Sequence, residues 1–341
     1  MKIAILAHSV YPISQPYRGG LEKFIHTLAE GLVKQGVDVT LFCHEDSMEG
    51  SYTKVPFTKF EYKLDNDFDE LNRDYKTLTK ELIGCKDFDL IHNNSLNTDL
   101  LSLSNEDTPL LTTLHVPAIE GFKQAVYANF FGKNNYLNIV SASCLKGWDA
   151  LQECKVIHNC IDTSEWENKM GKREGAIWFG RICPEKGVER SMQAAIAANL
   201  PIKIAGPIND QDYFNYLRVK YKNRFEHIGL CTHKELNKLI ATSEVFIKAP
   251  TWEEPFGLVY LEALACGTPV ATYNSNIANE ILNNKVAAIT DKNIKSLGEG
   301  AMYALGNITS KDCVNYVKEN FDIGKMIQEY KDYYTEIIKN A

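Results

Sequence analysis

The strongest constraint on the fold is a series of short apolar segments, rich in β-branched residues, that alternate with helical patterns. The series occurs twice along the chain. Apolar strands separated by helices are typical of a parallel sheet covered by helices on both faces. In the first half we expect strands at Lys2–Ala7, Val37–Cys43, Asp89–His92, Leu110–Leu114 and Asn138–Ser141. In the second half we expect strands at Ala176–Gly180, Pro201–Ala205, Phe225–Ile228, Glu244–Ile247 and Thr268–Thr272.

The helical patterns between these strands complete two doubly wound domains. Leu21, Phe24 and Ile25 begin a 3.6-residue apolar spacing that Gly36 ends. In the second half we expect helices at Gly187–Ala198, Asp210–Tyr221, Thr232–Ala241 and Gly257–Cys266, and a last amphipathic helix at Ile323–Ile338. A chain of 341 residues is long enough for two domains. We therefore predict domains at 1–160 and 161–322, with the polar segment Asn159–Glu174 at their boundary and the helix of 323–341 packing back towards the first domain.

Composition excludes several classes of protein. The net charge of -7 argues against a nucleic-acid partner. No apolar run is long enough to span a membrane, and the apolar run after Met1 is too short for a signal peptide. The nine cysteines contain no CxxC pair, which favours reduced thiols and a cytoplasmic location. The loops that follow the strands show no metal-ligand cluster and no DxD string, so we expect no metal.

Ligands of open α/β sheets bind at the loops that follow the strands, and two such loops suit an anion. Gly19 and Gly20 precede the first helix, where backbone N–H groups and the helix dipole favour negative charge. The spacing is not that of the dinucleotide fingerprint, and no Walker A string is present. Arg181 and Lys186 lie on the loop that opens the second domain and provide two cations for a diphosphate. Alternatively, the Gly19-Gly20 loop is a flexible turn, and Arg181 and Lys186 are two solvated side chains.

A third loop carries the most specific pattern. Pro255 and Gly257 mark the beginning of a helix that Gly267 ends. The N–H groups of Phe256, Gly257 and Leu258 point out of this beginning, where an anion can bind. Glu254 beside such a site would be repulsive unless it accepts hydrogen bonds from neutral groups such as sugar hydroxyls. Alternatively, Glu254 is a partner of the helix dipole and Glu262 is a solvated helix residue.

Together these motifs resemble the retaining glycosyltransferases of family 4, which have the GT-B fold and an E-x7-E motif, here Glu254 and Glu262. The resemblance covers nearly the whole chain. The supporting motifs fall in the family's order: Gly19-Gly20, Thr112-Thr113-Leu114-His115, Val156 to Asp162, Gly180-Arg181 to Lys186-Gly187, Ala205-Gly206, Glu254 to Leu258 and Cys266 to Val270. The chain departs from the family at Asn159-Cys160, where Asn-Gly is frequent. It departs again at Asn274–Glu280, where a Gly-Gly pair often precedes the Glu, and this second departure concerns the identity of the donor sugar.

The resemblance implies two Rossmann-like domains facing across a cleft, an acceptor-side first domain and a donor-binding second domain. It implies transfer of a hexose, with retention and without a metal or cofactor, from a nucleoside-diphosphate sugar, UDP- or GDP-linked. Arg181 and Lys186 would bind the diphosphate, Glu262 the ribose, and Glu254 with the backbone of 256–258 the donor sugar. Gly20, beside Gly19, would lie against the distal phosphate and His115 near the reacting sugar. Catalytic roles would fall to His115, Glu254, Arg181 and Lys186.

Other classes remain open at this stage. A nucleotide-sugar epimerase has the same architecture, and a non-catalytic sugar-nucleotide binding protein would keep the same residues. A nicotinamide oxidoreductase would need the absent glycine spacing, and a retaining hydrolase would need two carboxylates flanking one bond.

The acceptor, whether a small molecule, a glycan or a lipid-linked sugar, is not identified, and peripheral membrane contact stays open. The aromatic segment Gly121–Tyr136 could pack on a lipid, on an acceptor or, as we expect, on its own domain. His92 ends a strand and has an even chance of facing an acceptor pocket.

Overall fold

The computed structural model describes residues 1–8, 11–56, 87–97, 100–101, 108–129, 134–151, 154–166 and 171–341. The chain forms two compact units. Unit 1 comprises Met1–Asn159 and Ile323–Ala341, and unit 2 comprises Cys160–Asp322. No helix in the described ranges is long and apolar enough to cross a membrane.

Unit 1 is built on a parallel sheet in the strand order β3-β2-β1-β4-β5-β6-β7. The central strands are buried along nearly their whole length because helices cover both faces, which explains their continuous apolar sequences. The strands are β1 (Lys2–Leu6), β2 (Asp38–Cys43), β3 (Thr53–Pro56), β4 (Leu90–Asn93), β5 (Leu110–Leu114), β6 (Asn135–Ile139) and β7 (Lys155–Val156).

Two long helices of unit 1 pack against each other although they lie at opposite ends of the chain. The first helix, α1 (Gly20–Lys34), buries the apolar stripe that contains Phe24 and Leu28. The last helix of the chain contacts α1, and its Lys331 ammonium donates a hydrogen bond to the carbonyl oxygen of Gln35 at 3.0 Å. Two shorter helices, α2 (Glu120–Asn129) and α3 (Ala142–Leu145), follow β5 and β6.

Unit 2 repeats this architecture with a parallel sheet in the order β10-β9-β8-β11-β12-β13. Its core packs Trp178, Met192 and Phe214 between the sheet and the surrounding helices. The strands are β8 (Ala176–Phe179), β9 (Ile202–Ala205), β10 (Glu226–Gly229), β11 (Val245–Lys248), β12 (Val270–Tyr273) and β13 (Ala287–Thr290). The remaining helices are α4 (Val188–Ala197), α5 (Gln211–Tyr221), α6 (His233–Ala241), α7 (Leu258–Ala265), α8 (Asn276–Ile281), α9 (Ile294–Asn307), α10 (Ser310–Asn320) and, in unit 1, α11 (Ile323–Asn340).

The predicted fold class, two α/β domains with parallel sheets, is confirmed. The strand predicted at Asn138–Ser141 is present as β6, but its bounds are wrong: β6 begins at Asn135 and ends at Ile139, and Ser141 caps α3. The strands β7 and β13 are absent from the sequence prediction. The unassigned segment 51–75 begins with β3, and its residues 57–75 lie outside the described part of the chain.

Candidate active site

The β8–α4 loop places the two predicted cations of unit 2. Gly187 ends this loop at a φ of 71°, and a Cβ there would lie 1.7 Å from the carbonyl oxygen of Ala249. Only glycine permits this approach, so the loop that carries Lys186 packs directly on the residue that follows β11. The side chain of Arg181 extends from the start of the same loop. Among the described residues, no carboxylate lies within ion-pair distance of its guanidinium.

Lys186 and Glu254, both predicted site residues, are in direct contact. The ammonium nitrogen of Lys186 lies 3.0 Å from Oε1 of Glu254. The ammonium nitrogen of Lys248, which the sequence analysis missed, lies 3.0 Å from the same oxygen. Lys248 is the last residue of β11 and its side chain is 2% exposed, so two cations meet one buried carboxylate.

The two lysines decide the charge state of Glu254. Burial alone would raise its pKa, but the positive charges of Lys248 and Lys186 outweigh burial and lower the pKa of Glu254 to about 2. Glu254 is therefore ionised at neutral pH. Its second oxygen, Oε2, is buried and has no hydrogen-bond partner among the described residues. An ionised oxygen without a donor is costly to bury, which makes it an acceptor for a donor group of a ligand.

The α7 helix begins at Leu258, four positions after Glu254. Gly257 caps it at a φ of 84°, a left-handed conformation in which a Cβ would lie 2.8 Å from the ring of Tyr260. Phe256 is buried at 2% exposure, which fixes the turn into the helix. The first turn of α7, from Leu258, leaves backbone N–H groups that no carbonyl within the helix accepts. A positive helix end thus lies next to a carboxylate held by two cations.

Glu262 lies on α7, eight positions after Glu254 in the sequence. Its exposure is 9%, so the alternative interpretation of a solvated helix residue is wrong. The other end of α7 is fixed by Arg173, whose guanidinium donates to the carbonyl oxygen of Cys266 at 2.7 Å and to Oγ1 of Thr268 at 2.8 Å. Arg173 belongs to the polar segment that the sequence analysis placed at the domain boundary, and it stabilises the helix that carries Glu262.

An aromatic ring borders the cation pair. The ammonium nitrogen of Lys186 lies 4.5 Å from the ring centre of Trp252, within the range of a cation–π interaction. The indole nitrogen of Trp252 is buried and has no hydrogen-bond partner among the described residues. Lys186 is thus restrained by Glu254 and Trp252 together.

In unit 1, Gly19 and Gly20 stand at the start of α1, as predicted. The sequence analysis missed Glu22, whose Oε1 lies 2.9 Å from Nε2 of His8. Burial raises the pKa of Glu22, but the hydrogen bond and charge of His8 outweigh it and leave the pKa below its usual value. Glu22 is the third residue after the N-cap Gly19, a position from which a Glu side chain reaches back over the helix start, and this signal was available in the sequence.

His115 follows β5 and its Nε2 lies 2.8 Å from Oδ1 of Asn94. Because Asn94 Oδ1 can only accept, Nε2 carries the proton. Burial and the nearby His8 lower the pKa of His115 to about 3, so its ring is neutral at physiological pH. The sequence left open whether His92 faces an acceptor pocket, and the structure decides against it: its side chain is 0% exposed and both of its nitrogens have partners within unit 1.

Part of the aromatic segment of unit 1 packs on its own unit. The rings of Phe122 and Tyr127 contact Trp148, with ring centres 5.8 Å and 6.1 Å apart. Phe130 and Phe131 lie outside the described residues.

The chain has two α/β units with parallel sheets. In unit 2, the loops that follow the strands carry cations, a buried carboxylate and the beginning of a helix. These features define a protein of the GT-B class. The model of "Glycosyl transferases group 1" matches residues 162–320, and that of "Glycosyltransferase Family 4" matches residues 18–165. Together the two models span residues 18–320, which is most of the chain. The chain belongs to this family of GT-B glycosyltransferases.

Individual relatives agree with this assignment. The chain is 24% identical over 381 residues to the UDP-Gal:alpha-D-GlcNAc-diphosphoundecaprenol alpha-1,3-galactosyltransferase of Escherichia coli, covering 95% of this chain and 96% of that protein. It is 30% identical over 156 residues to the uncharacterized glycosyltransferase MJ1607 of Methanocaldococcus jannaschii, and this match spans only 40% of either protein.

Solved structures show the same fold at lower identity. AviGT4, a glycosyltransferase involved in avilamycin A biosynthesis, superimposes with a TM-score of 0.80 at 18% identity and covers 100% of this chain and 98% of its own. HepE of Anabaena, in complex with UDP and glucose, gives a TM-score of 0.76 at 18% identity, with coverage of 98% and 99%.

Proposed function

We propose that this glycosyltransferase moves a hexose from a nucleoside-diphosphate sugar to a hydroxyl of an acceptor, with retention and without a metal. The observation that carries the proposal is the ionised carboxylate of Glu254, which presents a buried oxygen without a partner beside two lysines and a helix start. A donor sugar offers hydroxyls to that oxygen, and a diphosphate offers negative charge to the cations. A ligand that has only hydroxyls or only a diphosphate would satisfy either the Glu254 oxygen or the cations, but not both.

Departure of a nucleoside diphosphate concentrates negative charge in the transition state, and fixed positive groups stabilise it. In this proposal Arg181 supplies a planar guanidinium fork and Lys186 a point charge. The N–H groups at the start of α7, around Gly257 and Leu258, add donors that need no rearrangement during the reaction. Among the described residues, no three His, Cys, Asp or Glu side chains converge as they would around a metal ion. The cation set thus supports the metal-independent form of the proposal.

We assign the remaining site residues the roles that the family implies. In this proposal Glu262 accepts hydrogen bonds from the ribose hydroxyls, and its buried position on α7 supports a role other than that of a solvated surface residue. The neutral ring of His115 is suited to hold a polar group of the reacting sugar rather than a phosphate. Gly19 and Gly20 are assigned to the distal phosphate, since neither carries a side chain that would block its backbone N–H group.

The relatives direct the choice of donor. The Escherichia coli relative is named for UDP-Gal and for a lipid diphosphate acceptor, and HepE was crystallised with UDP and glucose. We therefore place UDP-sugars first and GDP-sugars second as donors of this chain, and a hydroxyl of a small molecule, a glycan or a lipid-linked sugar as acceptor. A cytoplasmic location completes the proposal, supported by eight cysteines that are free thiols in the described ranges.

The proposal is tested first by calorimetry of the purified protein with UDP, GDP and their hexose conjugates. The best ligand is then used as donor with a panel of sugar and lipid-linked acceptors, and the anomeric configuration of the product is read by NMR. A product with the donor's own anomeric configuration supports retention. An isomer formed from the donor alone would mean an epimerase, and tight binding without release of nucleoside diphosphate would mean a binding protein.

Turnover in excess chelator tests the metal-independent part of the proposal. We expect the rate to be unchanged, because Arg181, Lys186 and the α7 start already provide the positive charge. Loss of turnover that magnesium or manganese restores would reject this part of the proposal alone.

A further inference from the structure

Two ammonium groups share one oxygen of Glu254, and they differ in their access to a ligand. The side chain of Lys186 is 16% exposed, whereas that of Lys248 is 2% exposed. Lys186 lies on a loop and also contacts the ring of Trp252, while Lys248 lies at the end of a central strand. A ligand can therefore recruit Lys186 far more readily than Lys248.

In the direct contact, the single carboxylate of Glu254 meets two ammonium groups. If Lys186 turns to a diphosphate, Glu254 keeps a full counter-charge only through Lys248. Without Lys248, the same movement would leave a buried carboxylate with no cation, an unfavourable state that a carboxyl group avoids by taking up a proton. Burial lowers the pKa of Lys248, and the charge of Glu254 opposes this effect.

We propose that Lys248 is a positioning residue that holds Glu254 in place and ionised while Lys186 leaves it to bind the donor diphosphate. This role of Lys248 rests on the proposed function of the site. The pairing separates two tasks that one lysine cannot perform together. Lys186 neutralises the leaving group, and Lys248 preserves the hydrogen-bond acceptor for the sugar.

Other titratable groups around Glu254 cannot replace Lys248. Apart from Lys186, Lys248 and Arg181, they bear no positive charge, and in the described part of the chain Arg181 forms no ion pair with Glu254. The groups that face the cluster are Cys183, Glu185, Arg181 and Lys186 of the β8–α4 loop, Lys248 of β11, Glu253 beside Glu254, and Tyr260 of α7.

The test measures the number of protons taken up when UDP or GDP binds, by calorimetry at about pH 7.5 in two buffers of different ionisation enthalpy. A buried glutamate without a counter-charge titrates as high as about pH 8–9. We therefore expect Lys248→Met to take up about one proton more than the wild type on binding. Lys203→Met, which removes a lysine from β9 of the same sheet, serves as the matched control and should bind with the wild-type proton count.

Lys186→Met provides a second, independent variant in case Lys248→Met does not fold. This variant keeps Lys248, so it should bind the diphosphate roughly 10-fold or more weakly, with the wild-type proton count. Extra proton uptake by Lys186→Met, or an unchanged count in Lys248→Met, would overturn the role of Lys248. Failure of the wild type to bind either nucleoside diphosphate would instead reject the proposed function on which this role depends.

Discussion

The hydroxyl of Tyr334 lies 2.7 Å from Nδ1 of His92, a contact between residues 242 positions apart. The other ring nitrogen, Nε2, lies 2.6 Å from Oγ1 of Thr113, whose own proton goes to Oδ1 of Asn138. Nε2 therefore carries the proton and Nδ1 accepts from Tyr334. Asn138 in turn donates to the hydroxyl of Tyr330 at 2.9 Å. This buried chain of hydrogen bonds joins α11 to three strands of the unit 1 sheet.

Tyr334→Phe should destabilise unit 1 by about 1–3 kcal/mol, because it leaves the buried Nδ1 of His92 without a donor. The free energy of unfolding is measured by urea unfolding of the full chain, monitored by a signal that reports on unit 1. Tyr303→Phe, an exposed tyrosine on α9, is the matched control and should change the free energy of unfolding by less than about 0.5 kcal/mol. Equal stabilities of the two variants would show that the hydrogen bond contributes nothing.

The stability of unit 1 should fall as the pH falls below about 6.5. Burial lowers the pKa of His92 well below its usual 6.5, so the folded state favours the neutral ring and the unfolded state binds the proton. The resulting stability is present above the unfolded pKa and is lost as the pH falls, by about 1.4 kcal/mol between about pH 7.5 and 5.5. Urea unfolding at both pH values should show that His92→Gln removes this part of the pH dependence. An unchanged pH dependence in the variant would contradict the burial of a neutral histidine.

The sequence predicted the fold because the helices and most strands follow their own periodicity. Apolar runs such as Ala176–Phe179 and the stripe of α1 need no tertiary information. Periodicity did not predict β7 or the bounds of β6. The strand β7 has only two residues, and β6 contains Asn138, whose amide donates a hydrogen bond to Tyr330 of α11. A polar residue that is paired by a distant helix has no local signal.

The candidate site was predictable where glycines and prolines mark loops, and less so where charge is buried. Arg181, Lys186, Glu254 and Glu262 stand in recognisable motifs. Lys248 was missed because a lysine at the end of an apolar strand is ordinarily solvated, and only the structure shows it beside Glu254. The signal available in the sequence was a lysine at the end of the apolar run Val245–Lys248, six residues before Glu254.

Glu262→Ala should weaken binding of the free nucleoside diphosphate by about 1–3 kcal/mol, because the ribose hydroxyls would lose their acceptor. Calorimetry with the preferred nucleoside diphosphate measures the change. Glu299→Ala, on the exposed face of α9, is the control and should bind as the wild type does. Unchanged affinity in Glu262→Ala would remove the ribose assignment.

Arg181→Gln should lower the turnover number roughly 10²–10³-fold, since its charge acts most strongly on the leaving diphosphate. The variant removes the charge and keeps most of the side-chain length. Arg190→Gln, an exposed arginine on α4, is the matched control, and a melting curve confirms that both variants are folded.

The double variant Arg181→Gln, Lys186→Met should lose less activity than the product of the two single losses, because both side chains act on one anion. Steady-state kinetics with the preferred donor measures all three variants. A folded Arg181→Gln protein with near-normal turnover would mean that the β8–α4 loop is only a solvated turn.

Glu254→Gln, compared with Glu253→Gln, tests the central claim most directly, because the two neighbouring glutamates differ in burial. Glu254 is 5% exposed and paired with two lysines, whereas Glu253 is exposed. Removing the charge of Glu254 frees Lys186, so the affinity for free nucleoside diphosphate should be retained or increased. Sugar transfer should nevertheless fall roughly 10²-fold or more, since the sugar loses its charged acceptor.

The decisive measurement is therefore the pair of values for each variant, the affinity for the nucleoside diphosphate and the rate of sugar transfer. The account predicts that Glu254→Gln separates them, with binding kept and transfer lost, and that Glu253→Gln leaves both within about twofold of the wild type. Transfer by a folded Glu254→Gln protein at the wild-type rate would contradict the assignment of this carboxylate to the donor sugar.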